Sequence, residues 1–335
     1  MDFLEEIRGN ERQKAFFRER IEQDRLSHAY ILEAPQGAGK KMLALRIAAS
    51  LAYREMGSEQ ERTAKCRRIL DGASPDVRIL RPEEGKKTIG VAAVRDFMAS
   101  VYLSPSELGF QMYVLDEADK ITPQAQNALL KVIEEPWRGV YIFLLCENSM
   151  SLLATVRSRA QKVVLKTFDE SELSAYARET GLPGAEDAER LGFAVRAAHG
   201  AIGRLRRLLE NGEIEYTAYL TAKKAVEGQA MKNRGMTYYA FLSLLGGMAD
   251  SRELLEAFAG YLLSAYRDLA RGGLSEGYAP EFWTADELQS YLTALSSETV
   301  SMSFAAADRV LTDLRLNTSL PLSAAVLAIE LWNAA

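Results

Sequence analysis

The stretch Leu32-Glu33-Ala34-Pro35-Gln36-Gly37-Ala38-Gly39-Lys40-Lys41-Met42 decides how the chain is read. A short apolar run, residues 28–32, precedes it, and Leu43, Ile47 and Leu51 follow at helical spacing. Strand, glycine loop, then helix is the setting in which a loop can cradle a phosphate. Small residues let backbone N–H groups close around the anion, and the helix N-terminus adds its positive end. Lys40 follows Gly39 directly, where a lysine reaches the β- and γ-phosphates. An ordinary glycine-containing strand–helix turn is the plainer reading of the same residues.

The match to G-x-x-x-x-G-K-[ST] fails at both ends. Ala34 stands where the first glycine belongs, and its Cβ is expected to intrude if the turn demands left-handed angles or close backbone approach. Lys41 stands where a hydroxyl would ligate Mg²⁺. An ammonium cannot coordinate a cation, and it adds positive charge beside the metal position. The loop is therefore expected to keep the shape of a nucleotide site without its metal chemistry.

At 335 residues the chain has room for two or three domains, with ordinary globular fractions of 48% hydrophobic and 26% charged residues. A net charge of −5 gives no global attraction to nucleic acid or to an anionic membrane. Cys66 and Cys146 are the only cysteines, which excludes a disulfide framework and points to a reducing, cytoplasmic setting. No secretory leader and no membrane-length apolar run is read, so a soluble protein is expected.

Around the loop, short apolar runs alternate with helical patterns. Residues 10–26 read as a charged helix and Gly57–Lys65 as a polar loop, with a short helical stretch at Cys66–Leu70. Val77–Leu80, Gln111–Leu115, Tyr141–Leu145 and Lys162–Leu165 read as strands. Val91, Val94, Met98 and Val101 lie on one helical face. Thr122-Pro123 supplies a cap and first-turn proline for a helix that Pro136 stops. The pattern predicts a parallel sheet covered on both faces. Beyond Phe168 only helices are read, with a break at Glu210-Asn211-Gly212. The expected domains are 1–168 (α/β), 169–208 (small helical) and 209–335 (helical bundle).

Asp116 and Glu117 close an apolar strand, where parallel sheets present ligand sites. In a nucleoside triphosphatase such an aspartate holds Mg²⁺ and the glutamate polarises the attacking water. Two acids can equally well open a solvated turn. Arg159, with Arg157 nearby, has the planar fork suited to phosphate, although a solvated helix end explains it as simply. Arg204, Arg206 and Arg207 form a second basic cluster whose default reading is a solvated face. Zinc fails on arithmetic, because Cys66, Cys146, His28 and His199 offer no close ligand spacing.

These residues resemble a family. Ser27-His28-Ala29-Tyr30-Ile31-Leu32, Gln36-Gly37-Ala38-Gly39-Lys40, Ile89-Gly90-Val91 and Leu115-Asp116-Glu117-Ala118-Asp119-Lys120 carry the likeness. So do Asn127 through Pro136 and Leu152-Leu153-Ala154-Thr155-Val156-Arg157-Ser158-Arg159. Over residues 8–205 the chain resembles the delta-prime family of bacterial DNA polymerase III clamp-loader subunits, within the AAA+ proteins. The resemblance implies an α/β AAA+ (P-loop NTPase-like) domain, a small helical lid and an all-α collar. It implies that Arg159 reaches into the ATP site of a neighbouring subunit, that Arg204 lies near the sensor-2 region and that Cys146 takes the sensor-1 position. Cys66 would be the last of four zinc cysteines, the other three absent, so no zinc is expected. Gly37, Gly39, Lys40, Lys41, Asp116, Glu117 and Arg204 would be a vestigial nucleotide site, binding ATP or ADP weakly or not at all. The implied partners are the motor subunits and the delta subunit in a hetero-pentamer, with the sliding clamp and primer-template DNA reached through the assembly. No intrinsic ATPase is expected of a chain that works inside the polymerase III holoenzyme. The competing reading is an active AAA+ motor whose loop tolerates Ala34 and Lys41.

Overall fold

The computed structural model describes every residue except 1, 56, 84, 85, 87, 233, 234, 275–277, 279 and 317. It divides into two compact units, one of residues 1–168 with 200–204 and one of residues 169–199 with 205–335.

In the first unit the chain runs α1 (Glu11–Glu22), β1 (Ala29–Glu33), α2 (Lys40–Tyr53), α3 (Glu59–Leu70), β2 (Val77–Leu80) and α4 (Val91–Met98). It continues as β3 (Gln111–Leu115), α5 (Pro123–Glu134), β4 (Val140–Cys146), α6 (Ala154–Arg157) and β5 (Gln161–Val164). All five strands are parallel, in the order β2-β3-β4-β1-β5. Side chains alternate across a strand, so each strand feeds two cores. Tyr30, Leu32, Met112, Val114, Phe143 and Leu145 join the core that contains α2 residues Leu43, Ala44 and Ile47. Ala29, Ile31, Tyr113, Leu115, Ile142 and Leu144 join the opposite core with Val94, Ala125, Leu129 and Val156. The continuous apolar character of these runs follows from burial on both faces. On the first face Tyr30 stacks on Phe143 at 5.2 Å and meets Phe17 edge-on at 5.1 Å.

Thr122 caps α5 by accepting from the Ala125 N–H, with Pro123 in the first turn, as its sequence predicts. The sequence predicts a loop over residues 57–65, but α3 begins at Glu59. Ser58 accepts from the Glu61 N–H while the Glu61 carboxylate accepts from the Ser58 N–H, a reciprocal cap that starts a helix in a polar stretch. Cys66 is on the buried side of that helix, its thiol donating to the Ala49 carbonyl at 3.2 Å.

The second unit is helical among its described residues: α7 (Glu170–Glu179), α8 (Ala188–Ala197), α9 (Ile202–Asn211, from residue 205), α10 (Glu213–Ala230) and α11 (Tyr238–Leu245). Then come α12 (Arg252–Gly272), α13 (Ala285–Ala294), α14 (Ser297–Arg315) and α15 (Leu320–Ala334). Leu255, Phe258, Leu262 and Leu269 line the buried side of α12. The same side carries Asp268, fully buried and satisfied by the Phe282 N–H at 2.7 Å and the Tyr278 hydroxyl at 2.9 Å. The break at Gly212 is real but lasts one residue, and the expected boundary between 208 and 209 falls inside α9.

Candidate phosphate loop and Arg159

Because β1 pairs with β4 and β4 with β3, the C-terminal ends of these three strands lie side by side. The loop after β1 therefore meets the residues that follow β3 and β4, the usual place for a ligand on a parallel sheet. Gly37 and Gly39 take φ of 82° and 89°, left-handed values that suit glycine. Ala34 is absent from the positive-φ residues, and its N–H donates to the Cys146 carbonyl at 3.2 Å as a continuation of the β1–β4 ladder. Its methyl group is buried in the core, so the departure at Ala34 costs the loop no backbone strain, against expectation. The glycines survive where the angles require them.

Gly37 has a second constraint. The Gly203 N–H donates to the Gly37 carbonyl at 2.9 Å, and a Cβ on Gly37 would lie 2.5 Å from the Arg204 nitrogen. Arg204 thus reaches the loop through its backbone, and its side chain does not line the cavity described next.

Gln36, Gly37, Gly39, Lys40, Lys41 and Met42 line a cavity of about 260 Å³ together with Asp116, Glu117, Asp119, Leu145 and Glu147. The structure so brings together six of the site residues read from the sequence. Asp119 and Glu147 join them, the second because it follows the end of β4, as Asp116 follows β3. Cys146 is fully buried, and burial pushes its thiol up to about 12, so Glu147 is the residue β4 presents here. Lys40 donates to the carbonyls of Ala34 at 2.6 Å and Pro35 at 3.0 Å. Burial lowers its pKa, partly opposed by Glu147 and Asp116. Glu117 adopts left-handed angles, φ 55°, unusual for its residue type, and pairs with Lys120.

Phosphate groups fit this loop in kind. Two left-handed glycines precede α2, whose N-cap makes no side-chain hydrogen bond and whose first turn holds no acid. Mg²⁺ does not fit. The second residue of α2 is Lys41, an ammonium where the oxygen ligand belongs, and it lines the same cavity as Asp116. Among the described residues no group of three His, Cys, Asp or Glu could hold a metal ion.

Arg159 lies outside that cavity. Its Nη2 pairs with Glu134 Oε1 at 2.8 Å, and its Nη1 donates to the Thr155 carbonyl at 3.0 Å and to Ser158 Oγ at 3.3 Å. Arg157 Nη1 contacts the Met150 sulfur at 2.6 Å. Arg206 pairs with Glu210 one turn along α9, the solvated-face arrangement expected of that cluster.

Fold and loop define an α/β class: a five-stranded parallel sheet with a glycine loop between β1 and α2. Residues 9–169 match the family model described as DNA polymerase III, delta subunit. The DNA polymerase III subunit delta' of Bacillus subtilis is 36% identical over 143 residues, 42% of this chain and 43% of that protein. The subunit delta' of Yersinia pestis is 37% identical over 134 residues, 39% of each chain. A solved DNA polymerase III gamma subunit-related protein from Thermotoga maritima covers 95% of this chain and 99% of its own, at 17% identity and a TM-score of 0.45. Residues 9–169 are thus similar to the delta-prime subunits of DNA polymerase III. The matched region spans about two-fifths of those curated relatives.

Proposed function

We propose that this protein is a cytoplasmic clamp-loader subunit of bacterial DNA polymerase III that helps place the sliding clamp on primed DNA, hydrolyses no ATP itself and lends Arg159 to the ATP site of an adjoining motor subunit. In this reading residues 169–208 are the lid and 209–335 the collar, within a hetero-pentamer that includes the delta subunit. The single observation that carries it is Lys41 lining the same cavity as Asp116 and Glu117. A motor needs a divalent cation there to bridge the phosphates and the aspartate. The cavity instead has two lysines against four carboxylates, an excess of negative charge that disfavours a polyphosphate lacking its cation. The similarity of residues 9–169 to delta-prime subunits supports the same assignment.

The motor reading draws on the loop backbone, since Gly37 and Gly39 are intact and Ala34 is unstrained. It still lacks a metal ligand. Arg159 is partly exposed, with 38% of its side chain accessible, and it stands apart from this chain's own phosphate loop. An arginine that serves a partner's phosphate needs that exposure. Combining the chain with the motor and delta subunits, clamp and primed DNA tests the assignment. Arg159→Ala is expected to lower stimulated ATP turnover by at least about tenfold, and unchanged turnover would show that Arg159 has no role in trans.

A further inference from the structure

We infer that Glu134 is a positioning residue for Arg159, fixing its guanidinium in the orientation from which it meets the neighbour's phosphate; the inference rests on the trans-arginine reading above. Glu134 is the last residue of α5, and Arg159 lies in the turn between α6 and β5. Two chain segments far apart in sequence are thus joined by the 2.8 Å pair between Glu134 Oε1 and Arg159 Nη2.

Both anchors are held by the fold. Ala125, Leu129 and Ile133 on the buried side of α5 share a core with Leu152 and Val156, which flank and enter α6. The Arg159 N–H donates to the Val156 carbonyl at 3.1 Å, so the backbone that bears the guanidinium is tied to that core. The Thr155 carbonyl and Ser158 Oγ hold Nη1, while Glu134 holds Nη2. A guanidinium has five N–H donors, and these three acceptors do not exhaust them. The position also suits a cation, because the C-terminal end of α5 bears partial negative charge.

With side chains 38% and 46% accessible, the pair contributes little to stability. Its effect lies in orientation. Arginine has many rotamers, and a side chain already held in one of them loses less freedom when it engages a ligand. A surface pair without this role would leave turnover untouched.

The test uses the complete clamp-loader assembly with clamp and primed DNA, and measures kcat and KM for ATP. Glu134→Gln is expected to lower kcat about fivefold with KM and thermal stability unchanged, and Glu134→Asp, which retains the charge, to recover part of that loss. On an Arg159→Ala background Glu134→Gln is expected to have no further effect. The inference is overturned if Arg159→Ala lowers kcat while Glu134→Gln does not, or if the two losses multiply. Should Arg159→Ala change nothing, the trans-arginine reading falls and this inference with it.

Discussion

A hydroxyl and an ammonium at the second residue of α2 act oppositely on a divalent cation: one offers a lone pair, the other repels. Lys41 is therefore the residue whose replacement is most informative. Lys41→Thr is expected to tighten Mg²⁺-dependent ATP binding by on the order of tenfold or more, as titration calorimetry would show, whereas Ala34→Gly should alter it little because Ala34 has no positive φ to relieve. Gly37 makes a different prediction. An added methyl would meet the Arg204 nitrogen at 2.5 Å in a backbone conformation with φ 82°. Gly37→Ala should cost about 1–3 kcal/mol in urea denaturation. Lys41, Asp116 and Glu117 are legible in the sequence because a short motif fixes their spacing. Glu147 and Gly203 are not, since each reaches the cavity region through a contact between distant segments.

At the scale of elements, α3 shows how a local rule can outweigh composition. Its helix is rich in charge and poor in apolar residues, and its polar first half reads as a loop. The signal was present in Ser58-x-x-Glu61, which supplies both halves of the cap. Ser58→Ala should destabilise the protein by about 1 kcal/mol, measured by the same urea titration. The strands are legible, because burial on both faces makes each a continuous apolar run, but their order in the sheet has no local signature. Glu33, at the end of β1, joins β5 to the turn that follows β4. It accepts from the Ser149 N–H at 2.6 Å and pairs with Lys162 at 2.9 Å. Burial pushes its carboxyl up, but Lys162 and Ser149 together outweigh this and hold the pKa below the usual value. A carboxylate depressed in the folded state contributes stability above its unfolded pKa and loses it as pH falls through the folded one. Melting temperatures of wild type and Glu33→Gln should accordingly differ at pH 7 and converge below about pH 4.

Across the whole molecule, the sequence is read as three domains, 1–168, 169–208 and 209–335, whereas the fold divides into two compact units, with residues 200–204 returning to the first. A close approach of glycines, Gly37 to Gly203, is part of that return, and no pattern of hydrophobicity records it. Among the described residues no helix is long and apolar enough to cross a membrane. The similarity to DNA polymerase III subunits, by contrast, is carried by residues 9–169, where the glycine loop, Asp116 and Arg159 all lie.

As proposed above, this chain serves a motor without being one. Steady-state ATP hydrolysis by the purified protein with Mg²⁺ tests it most directly. No turnover above background is expected, and the same trace for Glu117→Gln. A magnesium-dependent rate that Glu117→Gln abolishes would contradict it.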